Sequence, residues 1–188
     1  MQKILSGPVW VNKFPNSTSI GDLVEPFQTN VTKFVGALRA AKASVTISAT
    51  LRPKERAYLM HWSFLVAKEN LDPEKVDAMN GVDIEWVHTD AKGNKDLSAS
   101  KNAALQMVNL YDIAFRPALT SRHIEGKAID MDISWSSKDL TMKDAAGKDV
   151  TISSNPKSGG NTDLQAVGKS YGVIKLVSDP PHWSTDGH

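Results

Sequence analysis

The sequence contains no cysteine. That excludes a disulfide framework, a thiolate metal site and a cysteine nucleophile. Any transition-metal site must be built from histidine, carboxylate and water. Long apolar runs are missing as well, so no segment reads as a membrane span. The opening stretch MQKILSGPVWVNKFPNS is interrupted at Pro8 and Asn12 and does not read as a secretory signal. The expectation is a soluble product made in the cytoplasm, delivered by another system if its target lies beyond the membrane. Charge of one sign is scarce too. Lys and Arg number 22 against 21 Asp and Glu, a net +1. That balance gives no electrostatic footprint for nucleic acid or an anionic membrane. There is no internal repeat, zincin helix motif, nucleophile elbow or phosphate-binding glycine loop.

What is present suits one globular domain. The chain has 188 residues, 40% hydrophobic and 23% charged, enough to bury a core without staples. We read a single domain, 1–188, whose first 20 residues form an irregular lead-in rich in Pro, Asn, Ser and Gly. Residues 22–42 place Val31, Phe34, Val35 and Leu38 at helical spacing. Residues 44–50 alternate as a strand does. Helices are predicted over 53–69 and 98–110, with a short strand at 83–88 between them. Strands are predicted at 112–118 and 127–134, a hairpin over 138–153, and a short helix closed by Gly172. A last strand leads into a turn at Pro180-Pro181-His182. Helices come early and strands late, which predicts an α+β fold with a mainly antiparallel central sheet and flanking helices.

Three clusters carry chemistry. The first is Ser121-x-His123-x-x-Gly126-x-Ala128-x-Asp130, continuing to Asp132. Six residues separate His123 from Asp130, a reach of roughly 23 Å if extended. Both can meet one ion only if the chain turns back, and Gly126 permits that bend. Beyond it, Ala128, Asp130 and Asp132 alternate with Ile129, Met131 and Ile133, so period two sends carboxylates to one face and aliphatic groups to the core. The second cluster is Asp179-Pro-Pro-His182-Trp183, and the third is Thr50-Leu-Arg52-Pro53. A catalytic zinc takes three protein ligands and keeps a fourth position open, with a nearby base for the proton of the attacking water. Two histidines, one aspartate and one spare carboxylate meet that need.

The pattern Ser-x-His-x-x-Gly-x-Ala-x-Asp, followed far downstream by an acid, two residues and His-Trp, resembles the D-alanyl-D-alanine carboxypeptidase family of peptidoglycan metallopeptidases. That family includes vancomycin-resistance dipeptidases and carboxypeptidases and the L-alanyl-D-glutamate endopeptidases of phage endolysins. It shares its fold with the hedgehog signalling domain. The resemblance spans roughly residues 25–188 in motif order. It implies one zinc ion on His123, Asp130 and His182, with Asp179 as general base where many members carry glutamate. It implies that Arg52 polarises the scissile carbonyl and that Ser121 contacts substrate, with Trp183 walling the pocket or packing beneath it. The implied activity is hydrolysis of peptidoglycan stem peptides by a monomer, as endopeptidase or carboxypeptidase. A zinc-stabilised wall-binding or structural domain of the same fold is the rival reading, and a peptidase of non-wall peptides a third. Asp132 reads as a neighbour of the site, Glu125 as solvated, and His61 as structural. His88 has no partner at useful spacing, and Asp186 and His188 carry little weight as ligands.

Overall fold

The computed structural model describes residues 3–188. In chain order its elements are β1 (Ile4–Leu5), α1 (Phe27–Ala40), β2 (Ser44–Ala49), α2 (Lys54–Lys68), β3 (Ile84–Glu85), α3 (Leu97–Leu110), β4 (Ala128–Ser134), β5 (Leu140–Lys143), β6 (Asp149–Ile152), α4 (Thr162–Ser170), β7 (Ile174–Lys175) and β8 (His182–Ser184). Helix and strand are mixed, and the four-stranded sheet β2-β4-β8-β7 is antiparallel throughout. No helix of the described residues is long and apolar enough to cross a membrane. The chain gathers into two compact units. One is Pro53–Ser121 together with the segment ending at Pro15, and the other is Asn16–Arg52 with Arg122–His188.

In the first unit α2 and α3 pack on each other. Tyr58, Leu59 and Val66 of α2 share a core with Ala104, Met107 and Val108 of α3, joined by Trp10 and Trp86. The Asp96 side chain caps α3 by accepting from the Ala99 N–H at 2.8 Å, one of the helix's otherwise unpaired donors. Two expectations are corrected here. The lead-in is not wholly irregular, because β1 pairs in parallel with β3, Ile4 opposite Ile84. Residues 112–118 form no strand. Asp112 takes a left-handed φ of 55°, Pro117 lacks a ladder donor, and Phe115 is 86% exposed. Ile113 packs against the unit's core while Phe115 stays exposed, so the alternation does not become a strand.

The second unit is built on the four-stranded sheet. Helix α1 sends Phe27, Val31, Phe34, Val35 and Leu38 inward, a spacing that keeps one stripe on one side of the helix. They meet Ile129, Met131 and Ile133 of β4, Trp183 of β8, Leu164 and Val167 of α4, and Leu140, Met142 and Ile152 of the β5–β6 hairpin. Each such side chain contributes about 1.5–3 kcal/mol when fully buried. The inner face of β4 is thus committed to the core. The outward residues, Asp130, Asp132 and Ser134, are left for other use.

Candidate functional site

β4 and β8 run antiparallel with Asp130 directly opposite His182. Cross-strand partners hold their Cβ atoms about 5 Å apart on one face. Both side chains therefore leave the sheet on the side away from Ile129 and Trp183, the neighbouring pair in register. His182 belongs to this strand and not, as the two prolines suggested, to the turn before it. His123 arrives from the loop ahead of β4. That loop reverses at Gly126, which has a φ of 68° and donates its N–H to the His123 carbonyl at 3.2 Å. A Cβ at this position would stand 3.2 Å from Val24 Cγ1 and 3.3 Å from the Val24 nitrogen. Conformation and space both call for glycine. On the other side of β4, β2 carries an irregularity between Ile47 and Ala49, opposite Met131 and Asp130. Its extra residue, Ser48, donates to the Asp130 carbonyl at 3.3 Å. A bulge of this kind re-aims the chain that follows, here Thr50 and Arg52.

His123 Nε2, Asp130 Oδ1 and His182 Nδ1 form a nearly equilateral triangle with sides of 3.1, 3.1 and 3.2 Å. The other ring nitrogens fix the tautomers. His123 Nδ1 lies 2.6 Å from the Thr50 carbonyl oxygen, which can only accept, so Nδ1 carries the hydrogen. His182 Nε2 likewise donates to the His188 carbonyl at 3.1 Å. In the neutral rings, Nε2 of His123 and Nδ1 of His182 are bare lone pairs, aimed with a carboxylate oxygen at one point. Three acceptors facing one another with no donor among them are satisfied by a cation. The three residues could hold a metal ion.

No family model, curated protein or solved structure matches this chain.

The electrostatics of the triangle follow from its crowding. Burial opposes charge on His182, but the Asp130 hydrogen bond, the His188 carbonyl and the charges of Asp130 and Asp179 outweigh it and push the pKa up. Burial likewise opposes charge on Asp130, and the bonds and charges of His123 and His182 overcome it, holding the carboxyl far below the usual range. A His182 that holds its proton more readily and an Asp130 that stays ionised both mark a place suited to positive charge.

The other expected residues are placed as follows. Arg52 is half-buried, and its N–H donates to the His123 carbonyl at 3.1 Å, so its backbone is fastened to the site. Asp179 is exposed in the loop between β7 and β8. Ser121 ends the first unit, two residues before His123 in sequence. Trp183 is a correction: it is wholly buried against Phe34, with ring centroids 5.6 Å apart. It packs beneath the site and presents no surface to a substrate. Asp132 is exposed on the outer face of β4. Glu125 is bonded rather than merely solvated, to Arg122 at 2.8 Å and Lys127 at 3.1 Å. His61 lies in the other unit, bonded to the Pro117 carbonyl at 2.7 Å, and His88 is paired there with Ser6 at 3.0 Å.

Four contributors escaped the sequence reading. The Thr50 and His188 carbonyls orient the two rings, and a main-chain oxygen has no residue signature. Arg122 forks onto Asp186, with Nε 3.1 Å from Oδ2, tying the His123 loop to the chain after β8. Lys175 is buried in the run Val173–Val177, where burial pulls its pKa down against the charges of Asp179 and Asp130. A lone lysine in an apolar strand was the available signal.

Proposed function

We propose that this chain is a zinc-dependent peptidase that cuts the peptide part of bacterial peptidoglycan. We infer the fold and mechanism of the D-alanyl-D-alanine carboxypeptidase family, on the strength of the motif resemblance. The observation that carries the reading is the triangle of acceptors. Zinc held tetrahedrally by bonds of about 2.0–2.1 Å separates its donor atoms by about 3.3 Å, and the triangle's sides are 3.1–3.2 Å. Two imidazoles and one carboxylate suit zinc, where calcium and magnesium prefer oxygen throughout. Three protein ligands are the number that leaves a catalytic zinc an open position.

Bound zinc supplies Lewis acidity toward a carbonyl and toward water. The chain's own residues do the rest. Asp179 takes the proton of the attacking water and returns it to the leaving amine. Its exposure and its electrostatic reach to His182 support that role. Arg52 donates to the carbonyl oxygen as negative charge gathers there. The motif resemblance assigns Ser121 to substrate contact. Peptide, not glycan, is the substrate class, since glycan cleavage usually needs two opposed carboxylates and no metal, and Asp130 and Asp179 both have other work. The chain acts as a monomer on the cell wall, reached after release or export.

Purified sacculi incubated with the protein are expected to gain free amino groups and no reducing ends, and a chelator is expected to abolish the change. Asp179→Asn is expected to keep fold and metal while turnover falls about 10²–10⁴-fold. One residue favours a second reading, a wall-binding domain that keeps its metal without chemistry: Asp179 is a methylene shorter than the glutamate common in the family. Sacculi that bind the protein yet gain no amines would select it.

A further inference from the structure

We propose that Lys175 is a positioning residue, its buried ammonium holding the loop 176–182 closed and with it both Asp179 and His182. The ammonium has three N–H donors, and all three find main-chain carbonyls: Leu176 at 2.6 Å, Asp179 at 2.5 Å and His182 at 3.1 Å. The same three residues bond one another in a closed ring. The Leu176 N–H donates to the His182 carbonyl at 3.1 Å, the Asp179 N–H to Leu176 at 3.2 Å, and the His182 N–H to Asp179 at 3.1 Å. Every carbonyl in the ring therefore accepts twice, once from the ring and once from the lysine.

Three carbonyl oxygens drawn together repel one another, and a positive charge at their meeting point turns that repulsion into attraction. Lys175 is only 8% exposed, so water does not compete for those oxygens. The loop is folded around the ammonium much as a chelate is folded around an ion. Two of its three anchors belong to the metal-ligand histidine and to the proposed base, so a looser ring displaces both at once. The role of Asp179 rests on the peptidase reading; the clamp itself does not.

The test compares the full-length wild type with Lys175→Met, which keeps the length of the side chain and removes the charge. Amide hydrogen exchange at Leu176, Asp179 and His182, measured in chelator, is expected to quicken about 10- to 100-fold, the effect of losing bonds to a charged donor. Cobalt(II) affinity is expected to fall about 10- to 100-fold, as it does when a supporting contact to a ligand is removed, and the visible bands of bound cobalt should shift. A lower melting temperature with unchanged exchange at those amides and unchanged cobalt bands would overturn the proposal, since that is what a merely structural lysine produces. Should Lys175→Met not fold, Lys175→Gln, with two donors and no charge, is read by the same measurements. A wild type that takes up no cobalt would instead strike the metal reading, and the exchange rates would still decide the clamp.

Discussion

His123 and His182 each spend one nitrogen on a backbone carbonyl and aim the other at Asp130. Removing either ring removes a donor and strands the other two, so His123→Ala and His182→Ala are each expected to lose bound zinc by elemental analysis; full retention in both would dismiss the ligand set. The same groups set a pH dependence in the metal-free protein. The pKa of His182 is raised above the usual 6.5, so its contribution to stability is complete below that value and drains away as pH climbs through the folded-state pKa. Asp130 is held below the usual 3.8, so its contribution is present above that value and lost as pH falls through its own folded-state pKa. Both are in force between about pH 4 and 6.5. Calorimetry in chelator should therefore show a lower melting temperature at pH 8 than at pH 5.5. Zinc affinity should run the other way, because ligands must shed protons to bind. A chelated protein that grew more stable toward pH 8 would contradict the arrangement.

Short elements set the angle at which those side chains meet. Gly126 is the sharpest case: alanine there would carry a left-handed φ and press on Val24. Gly126→Ala is expected to cost about 1–3 kcal/mol in urea unfolding and to weaken zinc binding, because relief of the strain moves His123. Unchanged stability would mean the loop has another route. The bend at Gly126 was legible from sequence, as were α1, α2, α3, β2, β4 and the β5–β6 hairpin, because their apolar residues recur at a clean period and have a core to meet. The triangle was legible for a related reason, since side-chain ligands leave a spaced pattern. Elements of two or three residues show no period. β1 was hidden in a Pro- and Asn-rich stretch, and β8 behind two prolines that suggested a turn. The segment 112–118 shows the opposite failure, alternation with no neighbouring strand to complete it. Lys175 was hidden because its partners are all main chain.

For the whole molecule, the residues that could hold a metal ion belong to the unit formed by Asn16–Arg52 and Arg122–His188, and they link two adjacent strands with the loop before them. An ion that binds only the folded state adds stability with concentration, about 4 kcal/mol at a thousand times its dissociation constant. Adding zinc is therefore expected to slow amide exchange across β4 and β8; unaltered exchange there at saturating zinc would show that the ion sits elsewhere. The pairing of Asp130 with His182 carries one further consequence. β8 has only three residues, and its register is held by the burial of Trp183 between His182 and Ser184. A one-residue slip turns every side chain over: His182 would enter the core and Trp183 would face the triangle. The misaligned chain then offers two donors where three are needed. An ion that needs all three donors would bind only the correct alignment, so metal binding and the burial of Trp183 would favour the same register.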